Sequence, residues 1–284
     1  MSDEAATLDR LVAHAGQRLK AAGVEEPRRE AWRIWADLKG LSSHTGSILS
    51  EEVVPGTEAE RFRQAVDRRA HGEPLAYVTG LIGFRELTLR CDRRALIPRP
   101  ETEGLVELLL ARMPGGRVAD IGTGSGCIAF ALADEGRYDQ IFGIDRSREA
   151  LRLAGENCSA TRLGVALVLG DLATPLGAGT LDAIVSNPPY LTEGEYSDLD
   201  HSVKAWEPKS ALVGGSDGLL LTRRLLKDAI RVVRPGGCVA LEVDSARGTD
   251  TARLAGEAGW SDITLHDDLF GRARYLLAWR SETL

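Results

Sequence analysis

Arg117-Val118-Ala119-Asp120-Ile121 runs straight into Gly122-Thr123-Gly124-Ser125-Gly126, and an apolar helical run, Cys127-Ile128-Ala129-Phe130-Ala131-Leu132-Ala133, follows at once. A strand that passes through alternate glycines into a helix restricts the fold sharply. Glycine lets the backbone approach a ligand closely, and the start of the helix offers N–H groups without intrahelical partners. The turn is therefore of nucleotide-binding type. Cys127 stands where the dinucleotide pattern G-x-G-x-x-G needs its third glycine, which disfavours a nicotinamide dehydrogenase. A second strand over residues 140–145 ends in Asp145, about 20 residues past the turn, the interval at which an acid receives ribose hydroxyls. A ribose-bearing cofactor is expected. The competing reading of Asp145 is the N-cap of a helix beginning near Arg148.

From Gly116 onward strands and helices alternate, the signature of a parallel sheet covered on both faces. Further strands are expected over residues 165–169, 183–186 and 238–243. Two late strands, residues 263–266 and 274–279, have too little chain between them for a helical crossover and should form an antiparallel edge hairpin. In an open sheet of this kind ligands bind beyond the carboxyl ends of the strands, and Gly122, Asp145, Asp171 and Asn187 all occupy such ends.

The leading residues are helical. Leu8, Leu11, Val12, Ala15 and Leu19 recur at three- and four-residue intervals before Gly23, and Ala31, Trp32, Ile34, Trp35 and Leu38 do so before Gly40. Trp32 and Trp35 read as core. A third helix over residues 57–70 carries Phe62 and Val66 inward. Gly72-Glu73-Pro74 breaks the pattern, residues 77–91 suggest a connecting hairpin, and residues 96–101 form an extended segment leading to a helix over 102–112. The expected division is a helical N-terminal domain at 1–72, a hairpin and linker at 73–100, and an α/β domain at 101–284.

A chain of 284 residues has room for two domains. Its net charge of −7 and pI near 5.4 argue against a general polyanion binder, so no direct nucleic-acid contact is expected. Met1-Ser2-Asp3-Glu4 has no apolar core behind it, and no apolar run nears bilayer length, so a cytoplasmic protein is expected. Cys91, Cys127, Cys158 and Cys238 form no C-x-x-C pair and read as buried thiols. His14, His44, His71, His201 and His266 show no ligand spacing, so no metal is expected.

Asn187-Pro188-Pro189-Tyr190 directly follows the apolar run 181–186. Two prolines cannot donate to a sheet ladder and hold φ near one value, so the strand stops and the backbone turns rigidly. Asn187 is left at the strand tip. Its side-chain amide, with the carbonyls of Asn187 and Pro188, can grip the hydrogens of a planar NH2 group.

The turn 120–126, Asp145 and Asn187-Pro188-Pro189-Tyr190 together resemble the class I S-adenosylmethionine-dependent methyltransferases that modify planar amino or amide nitrogens. Pro74-Leu75-Ala76-Tyr77-Val78-Thr79-Gly80, Ile97-Pro98-Arg99-Pro100-Glu101-Thr102-Glu103, Trp206-Glu207-Pro208-Lys209-Ser210-Ala211-Leu212 and Gly214-Gly215-Ser216-Asp217-Gly218-Leu219 narrow the likeness. They resemble the PrmC/HemK family, the glutamine methyltransferases of peptide-chain release factors. The resemblance implies a Rossmann-like fold, S-adenosylmethionine as cofactor and class I release factors as partners; a monomer is expected. It implies cofactor contacts from Gly122, Thr123, Gly124, Ser125, Gly126, Asp145, Asp171, Leu172 and Asn187. It places the glutamine amide against Asn187, Pro188, Pro189 and Tyr190, with Asn187, Pro188 and Tyr190 at the chemistry and no general base. Residues 1–72 would recognise the substrate protein. Leu172 and Arg85 depart from the family pattern, which favours aromatics there, and Val243-Asp244 replaces a polar-glycine segment. Glu101 and Glu242 read equally as surface, capping or catalytic residues. A ribosomal-protein glutamine methyltransferase, an amino-directed nucleic-acid methyltransferase and a non-catalytic nucleotide-binding module are the rival readings.

Overall fold

The computed structural model describes residues 7–41 and 52–282; Met1 to Glu4 and His44 lie outside them. The chain divides into two compact units, Met1–Leu81 and Ile82–Leu284.

The first unit is helical: α1 (Leu8–Ala21), α2 (Pro27–Lys39), α3 (Gly56–Ala70) and the short α4 (Leu75–Thr79). Pro27 starts α2 at a position where its missing N–H costs nothing, and Gly40 ends it in the left-handed region. The apolar stripes of α1, α2 and α3 meet in one core that includes Leu8, Val12, Ile34, Phe62 and Val66. Trp35 joins it, edge-on to Phe62 with ring centroids 5.7 Å apart, while Trp32 is only partly buried against the same cluster. The start of the expected hairpin, near Tyr77, is instead α4, whose first turn closes on the Pro74 carbonyl. Five residues are too few for a periodic signal, so this turn is written by burial of Ala76, Tyr77 and Val78.

A small hairpin follows, β1 (Leu81–Phe84) and β2 (Leu87–Arg90), all of it but Leu81 in the second unit. Arg85, at its tip with φ of 49°, gives its backbone N–H to Glu103 and ion-pairs with Glu135 and Glu107. That side chain clamps the hairpin, which accounts for an arginine there.

Then come α5 (Pro100–Arg112), β3 (Gly115–Ile121), α6 (Cys127–Glu135), β4 (Arg137–Asp145), α7 (Arg148–Thr161), β5 (Val165–Leu169) and β6 (Leu181–Ser186). They are followed by α8 (Glu193–Asp198), α9 (His201–Trp206), α10 (Leu220–Val232), β7 (Val233–Glu242), α11 (Gly248–Glu257), β8 (Ser261–Asp267) and β9 (Ala273–Trp279). Helix α5 begins at Pro100, two residues before its expected start, because proline is preorganised for the first helical position.

The sheet order is β5-β4-β3-β6-β7-β9-β8. Strands β3 to β7 are parallel, and β9 runs antiparallel to both β7 and β8. The fold is the Rossmann-like, mostly parallel sheet with an antiparallel edge hairpin. Alternate residues feed two cores. Ile121, Ile184, Val239, Leu241 and Leu276 face α10 and α11, whereas Val118, Val185, Ala240 and Leu277 face α5 and α6. Burial on both faces explains why these strands read as continuous apolar runs. Order reverses between β3 and β6, which opens a crevice at their carboxyl ends.

Not all four thiols are buried. Cys91 and Cys238 are, but Cys127 and Cys158 are partly exposed, because each sits at a helix end rather than in the packed middle. No described helix is long and apolar enough to cross a membrane.

Candidate active site

A cavity lies over the switch between β3 and β6, and the tips of four strands line it: Gly122 after β3, Asp145 ending β4, Asp171 after β5 and Asn187 after β6. Thr123, Gly124 and Ser125 line it as well, as does Leu172.

One wall is built from backbone. Gly122 has φ of 74°, and a Cβ placed on it would meet nothing within 4 Å, so its outer face opens into the cavity. Gly126 also needs glycine, for another reason: at φ of 86° a Cβ would lie 2.2 Å from the Phe130 ring beneath α6. Asp145 braces the turn, Oδ2 accepting from Gly124 N at 2.9 Å and Oδ1 from Ser147 N at 2.8 Å. It is not the cap of α7. Ser147 is, its hydroxyl accepting from Ala150 N. Below the turn, fully buried Asp120 accepts from the Thr123 hydroxyl at 2.6 Å, and burial pushes its carboxyl up to about 7.

Asp171 and Leu172 close the far end. Asp171 Oδ2 takes a 2.6 Å ion pair from Arg224 at the surface, leaving Oδ1 for another donor. Leu172 is held at φ of 52°, a left-handed backbone uncommon for a side chain of its size and a form of strain that collects at binding sites.

The opposite wall is built from side chains of distant segments. Asn187 and Pro189 line the cavity, whereas Pro188 is buried and neither it nor Tyr190 lines it. Burial pushes the Tyr190 phenol up to about 12, with Glu242 nearby acting in the same direction. The loop after the tetrapeptide is fixed by Leu191 N to Leu212 O at 3.0 Å and Gly214 N to Leu191 O at 2.8 Å.

Asn187 Nδ2 donates to Thr102 Oγ1 at 3.1 Å, and Thr102 Oγ1 donates to Glu242 Oε2 at 2.7 Å. Glu242 is 2% exposed, so it is neither a surface nor a capping residue; burial raises its carboxyl to about 6. Glu101 contributes its carbonyl, which accepts from Tyr275 Oη at 2.6 Å.

Sequence reasoning missed Thr102 as anything but a helix start, and it missed Glu207. Buried Glu207 accepts from Ile97 N at 3.2 Å and Arg99 Nη2 at 2.6 Å, so two of the motifs noted in the sequence are halves of one brace. A lone Glu in one motif and a lone Arg in the other were the available signal.

The residues present fit S-adenosylmethionine. The glycine turn leaves an open cradle, an acid with spare lone pairs stands beside it, and the Asn187 carboxamide lines the cavity across the switch point. Sheet order and site together define a class I S-adenosylmethionine-dependent methyltransferase. A methyltransferase from Pyrococcus furiosus has the same fold, with a TM-score of 0.55 at 20% identity, covering 77% of this chain and 98% of that one. Residues 10–80 match the family described as PrmC N-terminal domain, and residues 100–203 match the methyltransferase small domain. The release factor glutamine methyltransferase of Nitratidesulfovibrio vulgaris is 39% identical over 97% of this chain and 96% of its own length. That of Moorella thermoacetica is 40% identical over 97% and 99%. The chain belongs to the release factor glutamine methyltransferase family.

Proposed function

We propose that this chain transfers a methyl group from S-adenosylmethionine to the side-chain amide nitrogen of the glutamine in the Gly-Gly-Gln tip of class I peptide-chain release factors, in the cytoplasm. The observation that carries this reading is Asn187, whose Nδ2 is committed to Thr102 so that Oδ1 is left as an acceptor at the cavity wall.

When bound, the cofactor supplies a methyl group already activated on a sulfonium sulfur. The protein's task is to bind, orient and exclude water. Gly122 to Ser125 hold the methionine part, with Gly126 off the cavity lining and supporting the turn, Asp145 holds the ribose, and Asp171 with Leu172 the adenine. An amide nitrogen is a weak nucleophile because its lone pair is delocalised into the carbonyl. Asn187 Oδ1 accepts one of its hydrogens at the cavity wall, which aims the nitrogen and favours the positive charge that develops on it; Pro188, buried and off that wall, holds Asn187 at the strand tip. Pro189, which lines the cavity, packs against the acceptor. No general base is required, since the proton can leave to water after transfer.

Residues 1–72 recognise the substrate protein, 73–100 connect, and 101–284 carry the methyl-transfer site. The comparisons favour this division in kind, as the residue 10–80 match is to a separately described N-terminal domain. A fragment spanning Ile82–Leu284 is expected to keep its cofactor affinity and lose efficiency on the intact release factor. Loss of cofactor affinity from a folded fragment would overturn the division.

The test of function is label transfer from methyl-labelled S-adenosylmethionine to a purified class I release factor. The expected result is a methyl group on the Gly-Gly-Gln glutamine by mass spectrometry, lost when that glutamine is replaced. A methyl group found instead on a ribosomal protein or a nucleobase would overturn the substrate.

A further inference from the structure

We infer that Thr102 and Glu242 are positioning residues that set which end of the Asn187 carboxamide faces the acceptor, through a one-way hydrogen-bond chain Asn187→Thr102→Glu242. This rests on the reading of Asn187 given above and extends it.

A carboxamide presents an oxygen and an NH2 of nearly the same shape, and a half-turn about its last torsion exchanges acceptor for donor. Only an acceptor at the cavity can take the hydrogens of a substrate amide, so something must prevent that half-turn. The side chain of Asn187 has one hydrogen bond among the described residues, to Thr102 Oγ1. A hydroxyl can donate or accept, so Thr102 alone would hold either orientation. Glu242 removes the choice. An ionised carboxylate only accepts; Thr102 must therefore spend its hydrogen on Glu242 Oε2 and has only lone pairs left for Asn187. Those lone pairs bind Nδ2 and turn Oδ1 toward the cavity.

The three residues sit on three elements held in fixed register. Thr102 is in the first turn of α5, where Tyr275 of β9 holds the Glu101 carbonyl at 2.6 Å. Tyr275 is the register partner of Glu242 across β7 and β9. Thr102 and Glu242 are each 2% exposed, and Thr102 is the one hydrogen-bond partner of the Glu242 carboxylate among the described residues. A carboxylate buried with one hydrogen bond and no ion pair among the described residues, offset only by the charges of Arg274 and Arg99, is costly to the fold. A role in directing Thr102 accounts for its presence where packing does not.

The groups facing Glu242 are Thr102, Glu101 and Arg99 at the head of α5, Arg274 and Tyr275 on β9, and Tyr190 after β6. Arg274 and Arg99 favour its ionised form, Glu101 opposes it, and burial dominates, raising the carboxyl to about 6. Above that pH the chain has one direction. Below it Glu242 carries a hydrogen, can donate to Thr102, and the orientation of Asn187 is lost.

The test compares Thr102→Val, Thr102→Ser and Glu242→Gln with the parent enzyme. Turnover is read on a purified class I release factor, affinity for S-adenosylmethionine by calorimetry, and the Asn187 side-chain NH2 resonances by NMR. Thr102→Val is expected to lower kcat about 10²-fold with cofactor affinity unchanged, the cost of a misaligned reacting group. Thr102→Ser should restore kcat to within about threefold, since it keeps the hydroxyl and removes only a methyl. In the parent enzyme kcat and the Asn187 NH2 shifts should both change with a midpoint near pH 6, and Glu242→Gln should flatten both. The inference falls if Thr102→Val keeps normal turnover, if Thr102→Ser is as impaired as Thr102→Val, or if the acid limb survives in Glu242→Gln. The NMR readout needs no substrate. If no release factor is labelled but the Asn187 shifts follow Thr102 and Glu242, the substrate reading fails and the positioning chain stands.

Discussion

The two walls of the cavity are made in opposite ways. The glycine-turn wall is assembled from backbone over a short stretch, braced by side chains 3 to 32 residues away: Asp120 on Thr123, Asp145 on Gly124 and Asn157 on the Ser125 carbonyl. The Asn187 wall depends on bonds that span 85 residues to Thr102 and 140 more to Glu242. A surface of backbone donors and small residues needs only local conformation. An amide that must face one way needs a partner with a fixed hydrogen-bond direction, and the fold has to carry that partner in from elsewhere.

Damage to each wall should separate binding from turnover. The largest effect is expected from Asn187→Ala, which should lower kcat about 10²–10³-fold, as for loss of one preorganised transition-state contact. Calorimetry should show S-adenosylmethionine affinity nearly unchanged; normal turnover would break the assignment of the acceptor wall.

Gly126→Ala should come next, destabilising the protein by roughly 2–4 kcal/mol through a left-handed backbone and overpacking against Phe130. Gly122→Ala meets open space and should cost only the backbone strain, about 1–2 kcal/mol, with its main effect on cofactor affinity. Denaturant unfolding of the two variants side by side checks this, and equal losses would show that the turn is structural throughout.

Asp145→Ala should weaken S-adenosylmethionine binding by about 1.5–3 kcal/mol, the range for hydrogen bonds to a charged group. Unchanged affinity by calorimetry would remove the ribose role and leave only the brace on Gly124 and Ser147.

The smallest effect runs the other way. Glu242 ionises at about 6 in the fold against an ordinary 4.5, so the fold holds the proton more tightly than the unfolded chain does. Its contribution to stability is fully present below about pH 4.5 and is lost as pH rises through 6. Glu242→Gln should therefore be more stable than the parent above pH 6, by roughly 2 kcal/mol or less, with the gap closing as pH falls toward 4.5. Urea unfolding at pH 7.5 and pH 4.5 reads the sign, and a destabilised variant at pH 7.5 would show that Glu242 serves the fold rather than Asn187.

Legibility followed the same division. The strands of the sheet, the antiparallel hairpin and the three long helices were readable because apolar periodicity and glycine or proline stops are local signals. Helix α4 leaves no periodic signal because it is a single turn, and Pro100, at the first position of α5, also fits the end of the extended segment before it. Arg85 looked like a departure in the sequence, and only its ion pairs with Glu107 and Glu135 explain it. The cap of α7 fell to Ser147 rather than Asp145, a choice between neighbours that turns on which side chain reaches Ala150 N.

Motif content and strand order of appearance therefore lay in the sequence itself: a glycine turn after one strand, an acid ending the next, and a proline-locked asparagine ending another. What the tertiary structure alone decided is the pairing of distant polar groups, Glu207 with Arg99 and Glu242 with Thr102. The physical reason is the range of the signal. Backbone conformation is set by neighbours a few residues away, but a buried carboxylate chooses its partner by proximity in space, and the sheet order that brings β7 beside β6 and beneath α5 exists only once the core has closed.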